Sequence, residues 1–323
     1  LATGAQEQFL PFPGWTLPHV MGPGGLQLLV RSGWPVAGQR VVVAGTGPLL
    51  LDTAVYLTRH GARVTDILEQ APRRALWSLA VRLARLAPAT VWRALGVPRS
   101  RLRRRVRPGC WPVAAHGTDR VESVTVTDGT RTWTRDCDYL ACAFGLVPSL
   151  QWPLLLGCRI EAEAVWVDAW QRTSLPRVYC AGEATGIAGV DCAVVQGEIA
   201  GLAAAGQEKA AERLFGARAR QQRLAEALQK TFQLRRELLT LATDETVICR
   251  CEDVAWQEVR AYDDLRSAKL QTRCGMGSCQ GRVCQNVLRL LKGWPADSVR
   301  PPLLPTHVGS FVSTSNELDN PRR

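Results

Sequence analysis

Val41-Val-Val-Ala44 is a short unbroken apolar run, and Gly45-Thr-Gly47-Pro-Leu-Leu50 follows it directly. Residues 52–60 then carry apolar positions at helical spacing, and Gly61 closes them with a residue tolerant of positive φ. Val64-Thr-Asp-Ile-Leu68 is a second apolar run, ending at Glu69, 24 positions after Gly45. Strand, glycine turn, helix and strand in that order predict a βαβ unit. Downstream, residues 121–126 and 130–134 flank Asp128-Gly129 and predict a β-hairpin. Tyr139-Leu-Ala-Cys-Ala-Phe144 reads as a buried strand closed by Gly145, and residues 164–167 and 177–181 as two more. A glycine-rich loop over 182–189 leads into a helix of small residues that runs to about Ala205. From 208 to about 241 the chain is rich in Ala, Arg, Gln, Glu and Leu and has no proline. Leu224, Leu228 and Phe232 recur there every four residues, which predicts one long helix with a single apolar stripe. The tail from 297 carries Pro301, Pro302 and Pro305 and is expected to be extended.

At 323 residues, 46% apolar and 21% charged, the chain is long enough for two or three globular domains. No run approaches the roughly 18 apolar residues of a membrane span. The N-terminus lacks the basic and apolar regions of a signal peptide. It begins at Leu1 rather than Met, so a fragment is expected. Eleven cysteines, an odd number and mostly scattered, fit a reducing compartment, and the expected location is cytoplasmic, with membrane association only through partners. Cys110, Cys137, Cys142, Cys158, Cys180 and Cys192 sit mostly in apolar runs and read as buried, inert thiols.

The net charge of +11 owes much to the eleven arginines of residues 73–107. A nucleic-acid patch is one reading. Leu76, Leu79, Leu83 and Leu86 recur at helical spacing, so the solvated face of an amphipathic helix explains the first part better, and an acidic partner explains the rest. No nucleic-acid partner is expected.

The strongest chemical signal lies near the C-terminus: Cys249-Arg-Cys251-Glu, then Cys274-Gly-Met-Gly-Ser-Cys279-Gln-Gly-Arg-Val-Cys284. A 2Fe–2S cluster takes four thiolates, two per iron. Cys249 and Cys251 are close enough to share one iron. Cys279 and Cys284 can share the other if a helix begins near Gln280. Gly275, Gly277 and Gly281 let the backbone pass close to sulfide, and Cys274 is a fifth candidate. Structural zinc is the alternative, although zinc knuckles more often space each pair by two residues. In the βαβ unit, Gly45 permits the tight turn and Gly47 a close approach of backbone to a pyrophosphate at the helix N-terminus. Leu50 stands where the third glycine would be. Glu69 is placed to bond a ribose hydroxyl of NAD or another adenine nucleotide, and an empty or structural nucleotide site is the alternative.

Residues 249–254 and 272–284 resemble the ferredoxin module related to bacterioferritin-associated ferredoxin, a small helical fold with a 2Fe–2S cluster. In that pattern the position of Cys274 need not be cysteine, so the resemblance implies Cys249, Cys251, Cys279 and Cys284 as ligands. Ala2-Thr-Gly-Ala5, Pro11-Phe-Pro-Gly-Trp15, Gly45-Thr-Gly-Pro-Leu-Leu50, Phe144-Gly-Leu-Val-Pro148 and Tyr179-Cys-Ala-Gly-Glu-Ala-Thr-Gly-Ile-Ala-Gly189 widen the match. Together they resemble the α (A) subunit of bacterial flavin-dependent amine dehydrogenases, a family that includes opine oxidases, proline and hydroxyproline dehydrogenases and hydrogen cyanide synthase.

The resemblance implies an α/β flavoprotein of the pyridine nucleotide-disulfide oxidoreductase type, with two dinucleotide-binding domains and an appended helical 2Fe–2S domain. Its expected parts are a partial FAD domain (1–37), an NAD-like Rossmann domain (38–145), the second part of the FAD domain (146–205), a helical connector (206–243), the 2Fe–2S domain (244–296) and a tail (297–323). Gly182 and Glu183 would meet FAD, Asp191 and Cys192 would open the helix whose amides face the flavin, and Gly4 lies in the crossover. The family's first FAD fingerprint precedes the Ala-Thr-Gly motif, so the FAD site is expected to be incomplete in this chain.

The implied role is to pass electrons from a partner β subunit, which holds its own flavin and oxidises the amine, to an acceptor. His19, His60, His116 and His307 are isolated and read as packing or surface residues. A self-sufficient NAD(P)H-dependent reductase and a structural remnant are the alternatives.

Overall fold

The computed structural model describes residues 1–86, 102, 104–295, 299–304 and 306–311. Part of the arginine-rich segment, including Arg101 and Arg103, lies outside them. A nine-residue helix, α1 (Pro23–Arg31), precedes the expected βαβ unit, which forms as β1 (Arg40–Gly45), α2 (Leu49–Arg59) and β2 (Arg63–Glu69). Two further strands, Val20–Met21 and Tyr139–Ala143, join on one side and Val106–Pro108 on the other, giving a five-stranded all-parallel sheet. Alternation along β1 explains the layering. Val41 and Val43 face the core built with Leu26 and Val30 of α1 and Leu50, Ala54 and Leu57 of α2. Val42 and Ala44 face the opposite core, with Trp111, Val124 and Val126 of a three-stranded antiparallel sheet. The apolar Leu50, where a dinucleotide fingerprint has glycine, is spent on the first of these cores.

The antiparallel sheet contains the expected hairpin, as Ser123–Thr127 and Thr132–Asp136. Helix α3 (Arg73–Leu86) carries Leu79 inward and leaves Trp77 out. Arg107 and Arg135 both pair with the buried carboxylate of Asp66, so part of the basic run serves the fold.

The segments expected as strands at 164–167 and 177–181 do not extend. The first shortens to Ala164–Val165, paired with Ile160–Glu161, and the second contributes only an isolated bridge between Arg172 and Tyr179. A strand persists only where a neighbour takes up its backbone groups. Among the described residues 179–181 meet Leu1, which exchanges hydrogen bonds with Tyr179 and Ala181, and Gln171, whose carbonyl accepts from the Cys180 amide. Ala5–Glu7 and Leu146–Pro148 form the antiparallel crossover between this region and the Rossmann domain. There Glu7 accepts a hydrogen bond from the Gly24 amide at the N-terminus of α1.

The long connector helix is broken. It divides into Glu208–Glu212, Phe215–Thr231 and a 3₁₀ turn at Arg236–Thr240. Leu238, off the helical stripe, is buried in the sheet core. Residues 247–294 form the small module expected at the C-terminus: one two-stranded ladder and the helices Trp256–Arg260, Leu265–Thr272 and Cys284–Lys292. Trp15 docks it by donating from its indole to the Val247 carbonyl at 2.6 Å, under the Arg250 guanidinium. In the tail, expected to be extended, Pro301, Pro302 and Leu304 are exposed and Val308–Phe311 forms a 3₁₀ turn.

Candidate functional site

The cysteine module brings its sulfurs together by crossing segments. The Sγ atoms of Cys249, Cys274 and Cys284, all buried, lie within 4.8 Å of one another. Cys251, exposed, and Cys279, half-buried, form a second contact. The sequence spacing paired Cys249 with Cys251 and Cys279 with Cys284, whereas the fold sets Cys249 against Cys284 and Cys251 against Cys279. The reason is local. Cys249 ends a strand, so Cys251 points away from it, and the last helix begins at Cys284 rather than near Gln280, whose φ is +50°. Gly277 permits the approach of the second pair, because a Cβ there would lie 2.2 Å from the Cβ of Cys251.

Thiols from Cys274 and Cys284 and the Gly275 amide, at 3.5 Å, all point at the sulfur of Cys249 and hold it as a thiolate far below the usual thiol range. Cys274 is pushed up to about 12 by its contact with that thiolate. A soft, buried, sulfur-only donor set with amides aimed at sulfur fits an iron–sulfur cluster or a thiophilic metal.

The second site is a cleft of about 370 Å³ lined by Gly4, Ala181, Gly182, Glu183, Gly189, Val190, Ala193 and Gly197, among others. It faces the N-terminal turns of the helix Val190–Ala204. Gly4, Gly182 and Glu183 all line it. Asp191 and Cys192 do not line the cleft, and Cys192 is fully buried on the other side of its helix. Small residues four apart, at 189, 193 and 197, make the wall instead and would let a planar ligand lie against the helix. Gln196, buried, holds the loop by accepting from the Gly182 amide at 2.8 Å and from the Thr185 hydroxyl at 3.3 Å.

At the third site, Glu69 turns back on its own glycine turn. Its carboxylate accepts from the Thr46 hydroxyl and from the amides of Gly47 and Ala71, each at 2.8 Å. Burial pushes its pKa up to about 7 against the pull of these donors. Gln70, fully buried, donates to Thr46 and to the Gln233 carbonyl and accepts from the Arg235 amide. Arg235 returns a bond to the Gln70 carbonyl at 2.8 Å and stacks over Trp111 at 4.8 Å. The amide of Gly47 expected to meet a pyrophosphate is therefore occupied by the Glu69 carboxylate, and the connector is tied across the end of β2. This arrangement does not fit a dinucleotide in the expected pose.

The sequence profile of the pyridine nucleotide-disulphide oxidoreductase family matches residues 1–198. The chain belongs to this family. It is accordingly an FAD-dependent oxidoreductase. The hydrogen cyanide synthase subunit HcnB of Pseudomonas aeruginosa is 33% identical over 88% of this chain and 67% of its own length. The opine oxidase (A) subunit of Agrobacterium tumefaciens is 31% identical over 88% of this chain and 61% of its own. Among solved structures, L-proline dehydrogenase from P. horikoshii superposes with a TM-score of 0.63 over 97% of this chain and 58% of that one, at 21% identity, and shares the fold.

The six scattered cysteines are buried, although only Cys142 lies within a strand and Cys192 lies in a helix. His19 stacks on Tyr139, His60 packs on Tyr56, and His116 meets the Thr125 hydroxyl. Among the described residues no helix is long and apolar enough to cross a membrane.

Proposed function

We propose that this chain is the electron-transfer subunit of a flavin-dependent amino-acid or opine dehydrogenase complex. The observation that carries the reading is the convergence of five thiols in one module docked through Trp15 onto a flavoprotein scaffold. Cys249 with Cys284, and Cys251 with Cys279, would hold a 2Fe–2S cluster. Gly4, Gly182, Glu183 and the helix beginning at Val190 would hold FAD. When bound, these groups supply one-electron exchange and the link between two-electron and one-electron chemistry.

The chain's own residues prepare for that. The Gly275 amide and the Cys274 thiol stabilise negative charge on Cys249, Gln196 fixes the Gly182 turn, and Trp15 and Arg250 fix the module against the scaffold. The histidines with described contacts spend them on packing, so amine oxidation is assigned to a β subunit with its own flavin. The relatives named as subunits of hydrogen cyanide synthase and opine oxidase support a partnered role.

The test is anaerobic purification followed by iron and sulfide analysis and electron paramagnetic resonance after dithionite reduction. Equal iron and sulfide with a signal from the reduced protein is expected. A colourless zinc protein would refute it. The Cys249–Cys274–Cys284 triad favours that second reading, a mononuclear thiolate site, and the same measurement separates the two.

A further inference from the structure

Arg250 stands between an enclosed sulfur, Cys249, and an exposed one, Cys251. The backbone amides of Cys251 and Gly275 turn toward the sulfur of Cys249. The Arg250 side chain leaves that turn for the flavoprotein scaffold. Its guanidinium lies over the Trp15 ring at 4.9 Å and donates to the carbonyls of Thr16 and Val20, each at 3.4 Å. It also borders a void of about 10 Å³ whose other walls include Phe12, Trp15, Cys142 and Phe144. Those four belong to the core shared by the parallel and antiparallel sheets. One side chain of the cysteine module is thus seated on the body of the chain, more than 200 residues away in sequence.

The charge it carries bears on the chemistry. One-electron reduction adds one negative charge to a group held by thiolates, and net charge and nearby hydrogen bonds help set the potential at which this happens. A cation at this position attracts the added charge. Arg250 as a residue is exposed, so water screens part of the attraction, but Trp15 keeps water from one face of the guanidinium. Arginine suits the place, because its planar head stacks on an aromatic ring and stays charged.

We propose that Arg250 is a positioning residue for electron transfer: seated on Trp15 and the Thr16 and Val20 carbonyls, it fixes the cysteine module to the scaffold and, through its charge, favours arrival of an electron in the module. The proposal rests on the electron-transfer reading above. On that reading a flavin gives up the electron and the group held by the thiolates accepts it, while no bond to Arg250 forms or breaks. Trp15 has a different part. Its indole donates to the Val247 carbonyl, which serves docking and adds no charge.

The experiment reads a potential and an exchange rate. The full chain, purified anaerobically, is titrated with dithionite, and the midpoint is taken from the paramagnetic signal of the reduced protein. Arg250→Gln should favour the oxidised form at least threefold, a fall of about 28 mV at 59 mV per tenfold for one electron. Arg250→Lys keeps the charge and should recover at least half of that fall. Trp15→Phe loses the indole donor, keeps a ring under the guanidinium, and should change the same equilibrium less than twofold. Amide hydrogen exchange at residues 247–251 should accelerate in both Arg250→Gln and Trp15→Phe. An unmoved potential in Arg250→Gln would overturn the proposal, and so would equal falls in the two Arg250 variants, which would assign the effect to lost packing. Unchanged exchange in Arg250→Gln would overturn the docking part. Circular dichroism confirms that the variants fold. Iron and sulfide content of the wild-type protein judges the cluster reading by itself. Equal iron and sulfide with an unmoved potential defeats this proposal alone. A protein without iron defeats the cluster reading and the charge effect with it, and exchange still judges the docking.

Discussion

Glu69 offers a direct thermodynamic test of how the glycine turn is built. Its carboxyl is 5% exposed, and its three hydrogen-bond donors are all neutral: the Thr46 hydroxyl and the amides of Gly47 and Ala71. Burial therefore outweighs the donors and raises its pKa from 4.5 to about 7. Below 4.5 the group is protonated in the folded and unfolded states alike and contributes no pH dependence. Between 4.5 and 7 the unfolded chain has released its proton while the folded chain keeps it, so stability falls as pH rises. Above 7 both forms are ionised and the loss is complete. At about 1.4 kcal/mol per pH unit, the difference between the two values amounts to about 3 kcal/mol. Glu69→Gln remains neutral throughout and removes this dependence. It also leaves the Gly47 amide facing an NH₂ group, a constant cost of about 1–3 kcal/mol. The assay is urea unfolding followed by tryptophan emission, for wild type and variant, at intervals from pH 4.5 to 8. All other titrating groups are common to both proteins and cancel in the difference. The variant should gain about 3 kcal/mol relative to wild type across that range. A difference that stays constant with pH would refute the buried, self-bonded carboxylate.

Other consequences are equally direct. Cys279→Ser should abolish the paramagnetic signal of the reduced protein, while Cys274→Ser should keep it, because a hydroxyl can still donate to the sulfur of Cys249; the reverse result would transfer the ligand set to the buried triad. Gln196→Leu removes the acceptor shared by Gly182 and Thr185 and should lower unfolding stability by about 1–3 kcal/mol; an unchanged urea midpoint would show that the loop is held otherwise. Arg235→Ala removes the stack on Trp111 and the bond to Gln70, so hydrogen exchange should accelerate at residues 233–235, and unchanged protection would place the clamp elsewhere. Because the connector and Glu69 occupy the turn, NADH added to the wild-type protein should leave its visible spectrum unchanged, and bleaching would show that the site opens.

The Rossmann core was legible because its signals are local. Four consecutive apolar residues with a glycine turn after them can bury both faces only at the centre of a parallel sheet, and Val41 to Ala44 do so. The hairpin was legible for the same reason, since Asp128-Gly129 sets the turn and alternation sets the faces. The strands expected at 164–167 and 177–181 were misread because β propensity does not supply a ladder partner, and Leu1, the neighbour of Tyr179, is 178 residues away in the chain. The contacts of Glu69 were equally hidden from the sequence. Position at the end of a strand is written in the sequence, but burial and the reach of the Gly47 amide are tertiary facts. Gln70 and Arg235 carried no readable signal, being 165 residues apart and unremarkable in composition.

The sulfurs show most clearly where local reading stops. Spacing pointed to five thiols in one segment and paired neighbours in sequence, whereas in the structure Cys249 lies against Cys284 and Cys251 against Cys279. In a strand a two-residue step carries the chain about 6–7 Å along, and at the strand's end it separates an enclosed sulfur from an exposed one. Cys249 therefore belongs to the module's core and Cys251 to its surface. The partners follow: Cys284 reaches Cys249 from the first turn of the last helix, and Cys279 reaches Cys251 from a loop that only glycine at 277 allows to come so close. The consequence is directional. A group held between these pairs, as proposed above, would have one edge against the core that Trp15 docks to the flavoprotein scaffold and the other at the exposed sulfur of Cys251.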